Sequence, residues 1–146
     1  MFGGDDAPMR VHRSIMPHAI RWILVPVSVV VVWGGVLVLE LEAVKILNAL
    51  CSPTLVESGG CIAPWHEPSI EALIIIGAGL AAFGIVAVGA LIAPSHKLRV
   101  AAALFACGAL FAMYIVRAAG LYSPFFTAAG GGSFALWLVN ARASIR

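Results

Sequence analysis

Cys51 and Cys61 stand ten positions apart in a polar segment that separates two apolar stretches. In an oxidising compartment such as the bacterial periplasm, thiols this close usually form a disulfide. Closing such a loop stabilises the folded state by roughly 2–3 kcal/mol on loop-entropy grounds. We predict a structural disulfide between the two. A redox-active pair is the alternative, although such pairs typically have C-x-x-C spacing, because a short loop tunes thiolate reactivity.

His66 and Glu67 follow the second cysteine in the segment PWHEP. Histidine, thiolate and carboxylate groups are ligands for zinc or copper, so these residues are weak candidates for a metal site. Their spacing from the cysteines matches no established motif, and a disulfide would remove both thiolates. An ordinary surface loop is therefore the favoured interpretation. We expect no catalytic residues and no cofactor or metal ion carried by this chain alone, whereas bound lipid is expected.

Four apolar stretches must position these residues. The chain has 146 residues, of which 62% are hydrophobic and 11% charged, and its mean hydropathy is +1.02. Soluble domains carry about 25% charged residues, so much of this surface must face lipid. A helix of about 20 apolar residues crosses the hydrocarbon core of a bilayer. The sequence predicts an all-α integral membrane protein, a four-transmembrane-helix bundle with spans at 22–41, 70–92, 100–119 and 125–139.

The fourth span is the least regular because it is short and contains the glycines at 130–132. It is interpreted either as one complete helix or as two half-helices around a break. Around the spans we place a tail at 1–21, a transmembrane domain at 22–140 and a second tail at 141–146.

The distribution of Lys and Arg predicts the orientation, since these residues are enriched in cytoplasmic loops. Seven of them fall in the tails and in the link between the second and third spans, against two on the opposite side. Both termini are therefore predicted to be cytoplasmic, in a bacterial inner membrane, with the disulfide-closed loop between the first and second spans on the outer side. The seven are Arg10, Arg13, Arg21, Lys97, Arg99, Arg142 and Arg146, and the two are Lys45 and Arg117.

The central parts of the predicted spans contain no ionisable side chain. Ionisable groups at the bilayer midplane are costly and usually mark transport pathways, so no such pathway is indicated. Arg117 lies about one turn from the outer end of the third span. We expect it to pair with Glu40 or Glu71 at similar depth, or to extend toward the lipid headgroups.

Small residues recur at four-residue spacing on three of the four spans. In membranes such faces let helix backbones approach closely, which replaces the missing hydrophobic driving force. Packing within the bundle is one interpretation, and docking against helices of another protein is the other. The predicted packing residues are Gly77, Ala81, Gly84, Ala102, Ala106, Ala128 and Gly132.

Three functions are consistent with this pattern. The leading hypothesis is a non-catalytic accessory or structural subunit of a larger inner-membrane complex of the respiratory, transport or secretion type, with lipids and other integral membrane subunits as partners. The alternatives are a small transporter or channel component working as an oligomer, and an outer-face redox or metal-dependent enzyme using Cys51, Cys61, His66 and Glu67. A net charge of +2, without a basic stripe, argues against nucleic-acid binding.

In size and number of spans the chain resembles the small membrane subunit of tripartite (TRAP-type) transporters and the four-span thiol oxidases. It shares no motif with the former and lacks the close cysteine pair of the latter. Neither resemblance therefore implies a role for a particular residue.

Overall fold

The computed structural model describes residues 18–57, 60–120 and 122–144, and within them the chain is predominantly helical. The all-α class predicted from the sequence is confirmed. The helices are α1 (His18–Ala49), α2 (His66–Ile92), α3 (Lys97–Ala119) and α4 (Tyr122–Ser144). A 3₁₀ turn at Pro53–Leu55 and two short antiparallel strands, β1 (Val56–Glu57) and β2 (Gly60–Cys61), connect α1 to α2.

Three of the helical segments are long and apolar enough to cross a membrane: Ile20–Ala49, His66–Ile92 and Lys97–Ala118. They support the prediction of a membrane protein. Helix α4 runs without interruption from Tyr122 to Ser144 through its three glycines, so the alternative of two half-helices does not hold. The predicted tails fall partly in these helices, because α1 already begins at His18, and otherwise outside the described residues.

Helix α2 is the centre of the arrangement. It packs against α1, α3 and α4, and α4 also packs against α3. Helix α1 packs chiefly against α2, rather than closing a ring with α3 or α4 as it would in a regular bundle. The structure is therefore a three-helix cluster with α1 attached along one side of α2.

The buried core is built from small side chains at one end of this cluster. Val86 and Ala90 of α2 meet Ala101 of α3 and Ala135 of α4, and each of these is almost fully buried. Small residues allow close helix approach, which is how membrane helices gain packing energy. The core lies toward the short link between α2 and α3, so the helices are tightly packed at that end.

The turn between α3 and α4 follows from one glycine. Gly120 adopts a left-handed conformation with φ of 71°, and its N–H donates to the carbonyl of Val116 at 2.8 Å. Glycine adopts this conformation without the steric cost that a Cβ imposes. Helix α3 therefore ends at Ala119, and α4 begins almost at once.

The α1–α2 hairpin extends beyond the other two helices. Gly79 of α2 packs against Thr127 and Gly131 of α4. From this level α2 continues for about 13 residues to His66, whereas α4 continues for only about 5 to 9 residues to Tyr122. At 1.5 Å per residue, the hairpin end projects roughly 10 Å further than the α3–α4 turn.

Candidate functional site: hairpin clasp and interhelix cavity

The structure joins Cys51 and Cys61 in a disulfide, with a Cα–Cα separation of 6.1 Å, which confirms the predicted bond. The bond closes the loop that carries β1 and β2, and Val56 pairs directly with Cys61 in the two-stranded register. The N–H of Ile62 also donates to the carbonyl of Leu55 at 2.9 Å. The loop is thus fixed both covalently and by backbone hydrogen bonds. Its place on the outer side of the membrane stays a prediction.

A side-chain hydrogen bond lies beside the disulfide and joins the same two helices. His66 Nε2, at the start of α2, lies 2.7 Å from Asn48 Oδ1 near the end of α1. His66 is 9% exposed, and the Trp65 ring meets it edge-on with centroids 5.8 Å apart. We call the disulfide and this hydrogen bond together the hairpin clasp.

The clasp gives His66 a structural role that the sequence did not indicate. Because the amide oxygen of Asn48 is an acceptor, His66 Nε2–H is the donor, and that nitrogen is not free to bind a metal ion. Glu67 is exposed in the first turn of α2. Within the described parts of the chain, no group of three or more His, Cys, Asp or Glu side chains is placed to hold a metal ion. Sequence reasoning missed Asn48, since no motif singles out a lone asparagine at a helix end.

A large apolar cavity lies between the helices, on the side of the core that faces the α3–α4 turn. Its volume is about 490 Å³. Helix α2 forms its floor, α1 one wall, and the second half of α3 with the first half of α4 the other wall. We call it the interhelix cavity. Residues from the four helices that line it include Trp33 and Glu40, Gly77 and Ala82, Phe105, Phe111 and Ala112, and Phe125 and Ala128.

Among the described residues that line this cavity, Glu40 is the one with a charged side chain. It is half-buried, and its carboxylate lies directly against Gly77, in the space where a side chain at that position would stand. Gly77 is therefore not simply a helix-contact residue, because its missing side chain makes room for a carboxylate.

The depth of Glu40 differs from the sequence-based expectation. Gly77 lies about seven residues, or roughly 10 Å, inside the apolar stretch that begins at residue 70. Glu71 lies six positions before Gly77 and is therefore about 9 Å nearer the hairpin end. Glu40 and Glu71 are thus not at similar depth. The hydropathy of α1 alone did not reveal this difference in depth, because the register between α1 and α2 sets the level of Glu40.

Arg117 lies in a different environment from the two carboxylates proposed as its partners. It is exposed near the end of α3 and borders a smaller pocket with Tyr122 and Phe126 of α4. The salt bridge found among residues 18–57, 60–120 and 122–144 joins Lys45 to Glu42 at 2.7 Å. The structure therefore does not bring Arg117 together with Glu40 or Glu71.

The predicted small residues of α2 and α4 lie mostly at helix contacts. A side chain at Gly84 would meet Val32 of α1, and one at Gly132 would meet the Phe105 ring of α3. The Ala81 side chain of α2 is buried, and Ala128 of α4 borders the interhelix cavity.

The intramolecular contact face of α3 lies next to the face that carries Ala102 and Ala106, for which docking against another protein stays a prediction. Ala101 is fully buried against α2 and α4, and Leu104 packs beside it, whereas Ala102 and Ala106 are exposed. Helical residues one position apart point about 100° apart, so a shift of one residue changes the face. A side chain at Gly89 would in turn meet Leu104. Bulky residues of α3 thus fill spaces left by small residues of α2, a complementarity that α3 alone does not show.

Two polar side chains within the helices are satisfied by their own backbone. The Ser28 hydroxyl donates to the carbonyl of Val25 at 2.7 Å, and the Thr127 hydroxyl donates to the carbonyl of Pro124 at 3.0 Å. Neither hydroxyl proton is therefore available to a ligand. Ser28 and Thr127 also lie outside the lining of the interhelix cavity, whereas Glu40 is part of it.

The fold and these sites define a helical membrane protein with a covalently closed hairpin and an apolar cavity. Comparison with protein-family models, curated proteins and solved structures gave no match.

Proposed function

We propose that this chain is a non-catalytic accessory subunit of a larger membrane complex and acts through helix–helix packing. The observation that carries the proposal is the exposed surface of α1. It packs chiefly against α2, and the adjacent glycines Gly34 and Gly35 have no neighbouring atom within 4 Å of the position a Cβ would take. Large apolar side chains around them, including Val31 and Val38, are exposed.

Glycine in a helix costs about 1 kcal/mol relative to alanine, so each one is expected to serve a contact. Gly77, Gly84, Gly89 and Gly131 meet this expectation, since a side chain at any of them would collide with a neighbouring helix. A second set of helix glycines outside the interhelix cavity has open space instead: Gly34, Gly35 and Gly130. Surfaces with small residues suit close approach by another membrane helix, so this second set supports contacts with other integral membrane subunits.

The proposal includes four crossings of a bacterial inner membrane, with both termini in the cytoplasm and lipid bound around the helices. Helices α3 and α4 each have 23 residues, which corresponds to about 34 Å and suffices for a hydrocarbon core of about 30 Å. Packing against both α2 and α3 would shield the less apolar α4 from lipid.

Native mass spectrometry of the full chain, purified in mild detergent at native expression levels, tests the proposal. We expect the chain to leave the membrane with partner subunits, and Gly34→Leu combined with Gly35→Leu to release them. Val38→Leu, a change on the same helix that adds little bulk, is the matched control and should retain them. A wild-type chain that purifies as a stable, lone monomer would contradict the proposal.

A transporter or channel component working as an oligomer is the second candidate, and the interhelix cavity favours it. It predicts solute flux in liposomes that contain this chain alone. The outer-face enzyme is less favoured, because the disulfide occupies Cys51 and Cys61 and the hydrogen bond to Asn48 occupies Nε2 of His66. That alternative would require His66→Ala to abolish an activity, with Glu67→Ala as its companion variant.

A further inference from the structure

The interhelix cavity is closed at one end and open along one side. Its far end is closed by the small-residue core around Val86 and Ala135, where α2, α3 and α4 are tightly packed. Its side is open, because α1 packs chiefly against α2 and does not close against α3 or α4. A molecule dissolved in the membrane would therefore reach the cavity by passing between α1 and the α3–α4 wall.

Glu40 is a charged group in this apolar space without a partner from the described chain. Residues 18–57, 60–120 and 122–144 supply it with neither a salt bridge nor a side-chain hydrogen bond. An ionised carboxylate removed from water is costly unless a cation or hydrogen-bond donors compensate it. Ionisable residues within membrane helices usually face a cavity and mark a binding site or pathway. A positively charged group in the cavity would compensate the carboxylate that Glu40 holds against Gly77.

The remaining lining suits an organic cation rather than a hydrated metal ion. Apart from Glu40 the walls are almost wholly apolar, and aromatic rings of Trp33, Phe105, Phe111 and Phe125 are among them. Aromatic rings attract cations through their electron-rich faces. A volume of about 490 Å³ falls within the usual range for sites that bind small organic molecules, roughly 300–1,000 Å³.

We propose that the interhelix cavity binds a small lipophilic organic cation, whose positive charge pairs with Glu40 and whose apolar body contacts the aromatic walls. This site lies within a single chain and does not depend on the accessory role proposed above. A chain without partner subunits would still bind the cation.

Equilibrium binding to the purified full-length protein in detergent tests the site. Tetraphenylphosphonium and the smaller phenyltrimethylammonium serve as cationic probes, and tetraphenylborate is an anion of the same shape as the first. We expect saturable binding of at least one cation, binding about tenfold or more weaker in Glu40→Gln, and no saturable binding of the anion. Glu42→Gln is the matched control, because it removes an equal charge from an exposed position two residues away.

A second pair of variants tests the cavity itself. Ala112→Phe fills space that the cavity occupies, whereas Ala106→Phe adds the same ring on an exposed part of α3. Binding should be lost in the first and kept in the second, with circular dichroism and gel filtration confirming that both are folded. Saturable binding of neither cation overturns the proposal. Equal affinity in Glu40→Gln and wild type, or equal binding of the anion, also overturns it, and the latter result would assign the cavity to apolar molecules of any charge.

Discussion

Gly131 of α4 packs directly against the backbone carbonyl of Gly79 in α2, with no side chain between the two helices. A Cβ at residue 131 would overlap that carbonyl, and backbone atoms cannot turn aside as a flexible side chain can. The contact therefore fixes the distance between α2 and α4, on which the small-residue core and the floor of the interhelix cavity both depend.

We expect Gly131→Ala to lower the free energy of unfolding by about 1–3 kcal/mol, because the added methyl group forces α2 and α4 apart. Gly130→Ala is the control, since a Cβ at residue 130 has open space around it. Its stability should be unchanged within about 0.5 kcal/mol or slightly raised. Denaturant titration in detergent, followed by circular dichroism, measures both. Equal losses in the two variants would show that the close α2–α4 contact is not decisive.

The hydrogen bond between Asn48 and His66 should contribute a measurable coupling energy. A double-mutant cycle with Asn48→Ala and His66→Ala is expected to give an interaction of about 0.5–1.5 kcal/mol, the usual contribution of a partly buried hydrogen bond. Unfolding of the four proteins under non-reducing conditions keeps the disulfide constant across the cycle. Additive effects of the two substitutions would indicate that the two side chains are not coupled.

Loss of the disulfide should destabilise the hairpin without removing the four helices. Cys51→Ser combined with Cys61→Ser is expected to lower the free energy of unfolding by roughly 2–3 kcal/mol, because the unfolded chain regains the freedom of the open loop. Cys107→Ser, which changes an exposed cysteine of α3, is the matched control.

Thiol alkylation of the denatured protein, read by mass spectrometry, checks the pairing directly. Only Cys107 should be modified before reduction, and all three cysteines after it. Modification of all three without reduction would rule out the bond in the purified protein.

The direction of α4 can be tested by cysteine labelling in intact bacterial cells. In a Cys107→Ser background, Thr54→Cys in the hairpin loop should react with a membrane-impermeant maleimide. Ser95→Cys and Ser144→Cys should react only after lysis, because the four-crossing arrangement places both in the cytoplasm. Labelling of residue 144 from outside would show that α4 does not cross.

Much of the fold followed from hydropathy and spacing alone. Apolar runs of about 20 residues predicted the helices α1 to α3, because their length must match the bilayer. The separation of Cys51 and Cys61 predicted their disulfide, and the structure contains it. Both are local properties, so a single sequence carries them.

The sites were harder to predict because they depend on register between helices. The sequence predicts Glu40 and Glu71 at a similar depth, yet the level of Glu40 is set by its contact with Gly77. Asn48 and His66 are 18 positions apart and meet only once the hairpin has closed. The intramolecular face of α3 contains Ala101 and not Ala102, because the helices that pack against α3 determine it. A docking role for Ala102 stays a prediction.

The attachment of α1 has a mechanical consequence. The hairpin clasp holds α1 to α2 at one end, and along the rest of its length α1 packs chiefly against α2. Few contacts with α3 or α4 hold α1, so its position depends on α2 and on the clasp. One edge of the cavity mouth is therefore set by the α1–α2 pair alone, whereas the core beneath it is built from three helices.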